Sequence, residues 1–234
     1  MRIVTWNLRS ATDRKWAHLE ALSPDIAVLS EVCRDPRATR ESAFGRPELS
    51  FQWEGSNAHK GLGLAGFGRP LARLTARGAI GRWSIASVTD GVAMLGIWSC
   101  PLRSGAYAAE VVRCLDAFEP VLARFPTRIV AGDLNVSGTG RGFAVLQKRL
   151  AEAGLVSAYH HFSGDAFGAE REMTIHPRHA GERGYHIDYC FVSPDLAANL
   201  AHVEIGSHDM WIASGLSDHA PVIVDIDWPE PHPS

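Results

Sequence analysis

Apolar positions along this chain fall into two patterns. Ile3-Val4-Thr5-Trp6, Ile26-Ala27-Val28-Leu29 and Ile129-Val130-Ala131 are short continuous runs rich in β-branched residues, the signature of buried strands. Elsewhere the apolar positions recur every three or four residues, the period of one helix face. Trp16, Leu19 and Leu22, between Asp13 and the Ser23-Pro24 stop, predict a helix between strands at 2–7 and 25–30, a βαβ opening. Val111, Val112, Leu115, Phe118, Val121 and Leu122 predict an amphipathic helix over 107–124 despite Pro120, feeding a strand at 128–132. A further helix runs from Gly142 to Ala153, with Phe143, Leu146 and Leu150 inward and Gly154 as its cap.

From about 50 to 98 the pattern turns to β, with strands at Leu62 to Phe67, Arg73 to Arg77, Ser84 to Thr89 and Val92 to Trp98. Asp90-Gly91 between two of these runs is a hairpin signal. The last strands fall near 186–192, 200–205 and 220–226, while the polar, Gly-, Pro- and Arg-rich stretches 33–49 and 160–184 read as surface loops.

The strand-like runs break off into polar residues in a recurring way. Asn7 follows the first, Glu31 the second, and Gly132-Asp133-Leu134-Asn135 the third, while Leu216-Ser217-Asp218-His219 precedes the last. Such endings let a rigid sheet aim hydrogen-bonding and ionisable groups into one cleft. Each has a bland reading alone: Asn7 satisfies a turn, Asp133 and Asn135 form an Asx turn, and Asp218-His219 is a salt-linked turn. Asp188 is harder to dismiss, because a carboxylate inside Ile187-Asp188-Tyr189-Cys190-Phe191-Val192 is expensive to bury without a partner.

The order Asn, Glu, Gly-Asp-Leu-Asn, Ile-Asp-Tyr and Ser-Asp-His-Ala-Pro-Val resembles the endonuclease/exonuclease/phosphatase family of divalent-metal-dependent phosphoesterases, over Asn7 to Asp225. Periodicity alone supports mixed α and β structure; the resemblance implies a four-layer α/β/β/α sandwich of two mixed sheets flanked by helices, in one domain spanning 1–234. It also implies Mg²⁺, or Mn²⁺, as one or two ions, with Asn7 and Glu31 as metal ligands and Asp218 as a further metal ligand or a group that orients His219. Hard oxygen donors suit these ions. Asp133 would orient or deprotonate the attacking water, and Asn135 would donate to a nonbridging phosphate oxygen. Spacing by two puts both on one face if the segment stays extended. His219 would approach the phosphate from the other side, its second ring nitrogen held by Asp188. One departure stands out: family members carry a Tyr or His on the middle strand near the phosphate, where Gly96-Ile97-Trp98-Ser99-Cys100-Pro101-Leu102 offers only Ser99 or Cys100 as substitutes.

Other residues are candidate substrate contacts. Arg141, in a Gly-rich segment, would grip a phosphate or stand as a free surface arginine; Thr174 and His176, shortly before Asp188, would line a groove; and Trp211, in a loop before Asp218, would be exposed beside the site. Trp53, Trp98 and Trp211 are all able to stack on bases.

Composition narrows the field. With 234 residues, 46% of them hydrophobic, the chain can bury a large core. Its net charge of −3 argues against broad polyanion binding but leaves room for a local basic groove, and the basic residues are nearly all arginine, with lysine only at 15, 60 and 148. Cysteines at 33, 100, 114 and 190 lack zinc or disulfide spacing, and three of them are expected to be buried thiols. No window approaches the roughly 20 apolar residues of a membrane span, and without a signal-like leader a cytoplasmic location is expected. The expected activity is Mg²⁺-dependent hydrolysis of phosphodiesters in DNA or RNA. The alternatives are a phosphatase or phosphodiesterase on a small molecule or lipid headgroup, and a silent binding module; oligomeric state is left open.

Overall fold

A computed structural model of the chain describes residues 1–10, 13–35, 49–76, 82–102, 105–176 and 184–228. It is a four-layer α/β/β/α sandwich of two six-stranded mixed sheets. The first sheet contains β1 (Arg2–Asn7), β2 (Ile26–Val32), β3 (Leu49–Asn57), β4 (Lys60–Phe67), β11 (Leu200–Ile205) and β12 (Val222–Ile226), in the order β11-β12-β1-β2-β4-β3. The second contains β5 (Ala72–Leu74), β6 (Ser84–Thr89), β7 (Val92–Trp98), β8 (Arg128–Asp133), β9 (Val156–Ser157) and β10 (Asp188–Val192), in the order β5-β6-β7-β8-β10-β9. The α-helices are α1 (Asp13–Ala21), α2 (Tyr107–Leu122), α3 (Phe143–Glu152), α4 (Ala158–Ser163) and α5 (Pro194–Ala197), and a π-helical turn at Asp209–Ala213 holds Trp211, which the sequence places in a loop.

The two sheets share one construction. Each has a parallel pair joined through a helix, β1-α1-β2 in one and β7-α2-β8 in the other, flanked on both sides by antiparallel neighbours. Parallel strands demand such a crossover, whereas antiparallel strands close through short turns. Thr89 pairs with Val92 across Asp90 and Gly91, both at positive φ, so this hairpin turns in two residues as the sequence predicts.

Alternation along the strands assigns the core. Ile85, Met94, Ile129, Ala131, Cys190 and Val192 join the cluster between the sheets, while Ala86, Leu95, Ile97, Val130, Tyr189 and Phe191 pack beneath α2 and α3 with Val111, Leu115, Leu146 and Leu150. The same parity sends Asp133 and Asp188, two residues beyond Ala131 and two before Cys190, toward the space between the sheets. Gly132 separates these faces at a point of close approach: a β-carbon there would lie 1.9 Å from the Ile97 carbonyl oxygen, and its φ of 140° is open to glycine almost alone.

Several expectations are corrected. β3 is an edge strand whose Ser, Gln, Glu and Asn residues masked it, and the Arg73–Arg77 strand contracts to Ala72–Leu74, with Arg77 outside the described residues. The stretch read as a loop over 160–184 begins inside α4, which closes on a left-handed Gly164; its residues 177–183, like 36–48 of the other loop, lie outside the described residues. Two cysteines, Cys114 and Cys190, are buried rather than three, because Cys33 and Cys100 fall beyond their strands at half-exposed positions. Among the described residues, no helix is long and apolar enough to cross a membrane.

Candidate active site

The ends of β1, β2 and β8 and the start of β10 converge on one edge of the sandwich. They open there into a cleft of about 770 Å³. Asn7, Glu31, Asp133, Asn135, Asp218 and His219 all line it, joined by Arg9, Lys15, Lys60, Trp98, Ser99, Cys100 and Tyr107.

Asn7 ends β1 and is 2% exposed. Its Nδ2 donates to Asp133 Oδ2 at 2.8 Å and to Glu31 Oε1 at 3.4 Å, linking the two sheets. Its Oδ1 accepts from the Arg9 N–H at 2.9 Å, and the Ser217 hydroxyl donates to its carbonyl at 2.8 Å.

Glu31 reaches the cleft through an irregularity in β2. Val28 faces the second sheet, where it lies against Gly96, so strict alternation would send Glu31 to the opposite face. Instead the pairing of β2 with β4 shifts between Ser30 and Val32, and Glu31 adopts a left-handed φ of 58°. A one-residue bulge re-aims a side chain in this way, and such strain is characteristic of functional sites.

Asp133 and Asp188 stand directly opposite each other in the β8-β10 register. His219 Nδ1 lies 2.8 Å from Asp188 Oδ2, and ligand atoms of Asp133, Asp188 and His219 all fall within 4.8 Å of one another. Burial, and then the Asp188 carboxylate, push the Asp133 carboxyl up to about 7, against the lowering effects of His219, Asn7 and the Asn135 N–H. Burial works against a charged His219, but Asp188, Asp133 and Asp218 outweigh it and hold the imidazolium to about 9.

The backbone around His219 is tied at several points. Trp6 Nε1 donates to the His219 carbonyl at 2.8 Å, the His219 N–H donates to Ser217 Oγ, and Ala220 N–H donates to the Thr174 carbonyl. Asp188 is held from behind: Thr174 Oγ1 accepts from the Ile187 and Asp188 N–H groups at 2.9 and 3.0 Å.

The remaining predicted residues divide. Asn135 lines the cleft, but not because the chain stays extended: β8 ends at Asp133, and Asn135 takes a left-handed φ of 53°. Its N–H donates to Asp133 Oδ1 and its Nδ2 to the Ser99 carbonyl. Asp218 is partly exposed, 3.5 Å from Arg9 Nε. Thr174 is fully buried behind Asp188, so it positions that residue and lines no groove. His176 is half-buried beside the cleft, its N–H on the Asp218 carbonyl and its ring edge-on to His208 at 4.9 Å. Arg141 is exposed at the approach to α3 and is not among the cleft-lining residues. Trp211 is overturned as an exposed platform: it is 2% exposed and packs edge-on against Trp6 at 4.9 Å, because its large apolar surface is better covered by the core than by water.

The sequence reading missed Arg9, Lys15, Lys60 and Tyr107. Lys15 is buried in α1, its ammonium donating to the carbonyls of Leu8, Arg9 and Ser10 and so fixing a loop in which Arg9 and Ser10 have positive φ. Burial and Arg9 lower its pKa, while Asp218 and Glu31 act the other way. Two of the chain's three lysines line this cleft, a compositional signal available in the sequence. Tyr107, the first residue of α2, lines the cleft, and its carbonyl accepts from the Ser99 hydroxyl at 3.0 Å.

A family model for the Endonuclease/Exonuclease/phosphatase family matches residues 4–219. No curated protein matches the chain. Among solved structures, a 3′ phosphatase from Neisseria bound to a product DNA hairpin superimposes with a TM-score of 0.77 at 19% identity, covering 97% of this chain and 100% of that one. An AP endonuclease from Archaeoglobus fulgidus does so with a TM-score of 0.77 at 18% identity and the same coverage. One from Leishmania major gives 0.65 at 16% identity, covering 97% and 88%. The architecture and the match together define a phosphoester hydrolase. The chain belongs to the Endonuclease/Exonuclease/phosphatase family.

The family is metal-dependent, and two donor sets are present for an ion. Asp133, Asp188 and His219 have ligand spacing, but the imidazole is held charged against Asp188, which disfavours it as a ligand. Asn7, Glu31 and Asp218 offer oxygen donors to the open cleft, Asn7 from a buried strand end and Glu31 and Asp218 from partly exposed positions. That is the environment Mg²⁺ prefers, since it keeps part of its water shell.

Proposed function

We propose that this protein is a Mg²⁺-dependent phosphodiesterase acting on nucleic acid, with Asp133, Asn135, Asp188 and His219 as its catalytic groups. The carrying observation is the buried Asp133–Asp188–His219 cluster joined to Asn7 and Glu31 at the convergence of both sheets. The similar folds of an AP endonuclease and a DNA-bound 3′ phosphatase support a DNA substrate.

Asn7, Glu31 and Asp218 would hold the ion, which when bound would neutralise phosphate charge and the departing oxygen. The chain's own groups do the rest. Asp133, poised near neutrality, accepts a proton from the attacking water as its oxygen bonds to phosphorus and the opposite P–O ester bond breaks. His219, with Nδ1 donating to Asp188, presents Nε2–H to a nonbridging oxygen, where a preorganised cation stabilises the developing charge. Asn135 keeps one Nδ2 hydrogen on Ser99 and has a second for the phosphate. The Asn7 amide holds Asp133 toward the water.

The test is hydrolysis of plasmid DNA, abasic-site duplex, 3′-phosphorylated DNA, single-stranded RNA and bis-p-nitrophenyl phosphate with Mg²⁺, Mn²⁺ or EDTA. Metal-dependent cleavage of a polynucleotide is expected. Turnover of the small diester alone would replace nucleic acid by a small substrate, and metal-independent turnover would remove the ion from the mechanism.

A further inference from the structure

Glu31 is paired from both sides. While Asn7 reaches one of its carboxylate oxygens, the Lys60 ammonium lies 2.8 Å from the other, Oε2. Lys60 is the first residue of β4, just past the β3-β4 turn, and β4 is the strand against which β2 bulges at Glu31. One local irregularity therefore frees the carboxylate from the sheet and sets a cation beside it. The ammonium also lies 5.5 Å from the centre of the Trp98 ring, at the cleft wall. Its side chain is 46% exposed and Trp98 is 6% exposed, so a solvated ammonium lies over a buried aromatic ring.

We propose that Lys60 is a displaceable counter-ion: it neutralises Glu31 while the metal position is vacant, and moves to a nonbridging oxygen of the bound phosphate when a divalent ion claims Glu31. The inference rests on the reading of Glu31 as a metal ligand. A divalent cation and an ammonium compete for the same oxygen, and the ion's double charge wins. The released lysine remains in a cleft that receives an anion. A partly solvated pair of this kind exchanges partners readily, because solvent screens much of its attraction. Lysine suits the task better than arginine, being a compact point charge on a flexible stem.

The experiment measures two affinities in Lys60→Met, which keeps the stem over Trp98 and removes the charge. Calorimetric titration with Mg²⁺ alone is expected to show binding tightened several-fold. ³¹P NMR titration of thymidine 5′-monophosphate in saturating Mg²⁺ is expected to show binding weakened several-fold. Opposite signs mark a counter-ion that changes partner, a pattern that lost packing would not produce, and Lys60→Arg should restore nucleotide binding. Unchanged Mg²⁺ affinity would overturn the pairing role, and unchanged nucleotide affinity the transfer. Glu31→Gln separates the premises: if it keeps wild-type Mg²⁺ affinity, the assignment of Glu31 to the metal fails, whatever Lys60 does.

Discussion

Asn7 Nδ2 donates to Asp133 Oδ2 at 2.8 Å, joining the last residue of β1 to the last residue of β8 across the interface of the two sheets. Each strand belongs to the parallel pair of its own sheet. The bond therefore sets the position of the carboxylate assigned to the attacking water by the packing of the whole sandwich.

Asn7→Ala removes this donor and leaves a buried carboxylate with fewer partners. Loss of such a bond destabilises by about 1–3 kcal/mol. Asn7 also lowers the Asp133 pKa, so the variant should need a higher pH to ionise Asp133. Urea denaturation is expected to show the stability loss, and the acidic limb of the kcat profile to move upward in pH.

The His219–Asp188 pair predicts the alkaline behaviour. With the folded imidazolium held to about 9 against an ordinary 6.5, its stabilisation is complete below 6.5 and is lost as pH rises through about 9. Asp133, raised from 3.8 to about 7, has the opposite balance: the fold favours its neutral form, and that contribution is lost as pH rises from 3.8 through 7. In Asp188→Asn the largest influence supporting the charged imidazole disappears. The alkaline limb of kcat/KM is expected to shift to lower pH, and NMR titration of His219 to show its pKa falling.

Thr174→Val keeps shape and removes the acceptor for two buried N–H groups. Their desolvation should cost about 1–3 kcal/mol in chemical denaturation. Activity should fall as Asp188 loses its fixed position, and Thr174→Ser should restore most of both.

Trp211→Ala opens a cavity against Trp6, the residue whose indole holds the His219 carbonyl. A loss of about 3–5 kcal/mol is expected by thermal or chemical unfolding. Trp211→Phe should leave KM unchanged; a large rise in KM would restore Trp211 as a substrate contact.

Much of this was legible in the sequence because β-rich runs and their polar endings obey local rules. The strands ending at Asn7 and Asp133, the turn at Asp90-Gly91 and the helix over Tyr107–Leu122 follow from periodicity and turn chemistry. The convergence of their ends came only through the family pattern, since periodicity does not pair distant strands. Glu31 was found by its place at a strand end, but the bulge that aims it leaves no mark in composition. Lys15, Lys60 and Tyr107 escaped notice because each enters the cleft from a different, distant segment. Trp211 was misplaced because its Gly, Ser and His neighbours describe the loop and not the indole packed beneath it.

The most direct measurement is single-turnover cleavage of a DNA oligonucleotide by Asp133→Asn in saturating Mg²⁺, with the folded state checked by circular dichroism. Removal of a general base costs about 10²–10⁴-fold in rate. A loss in that range, with the fold intact, is the predicted result. A variant within ten-fold of the wild-type rate would contradict the assignment of Asp133 to the attacking water and, with it, the proposed mechanism.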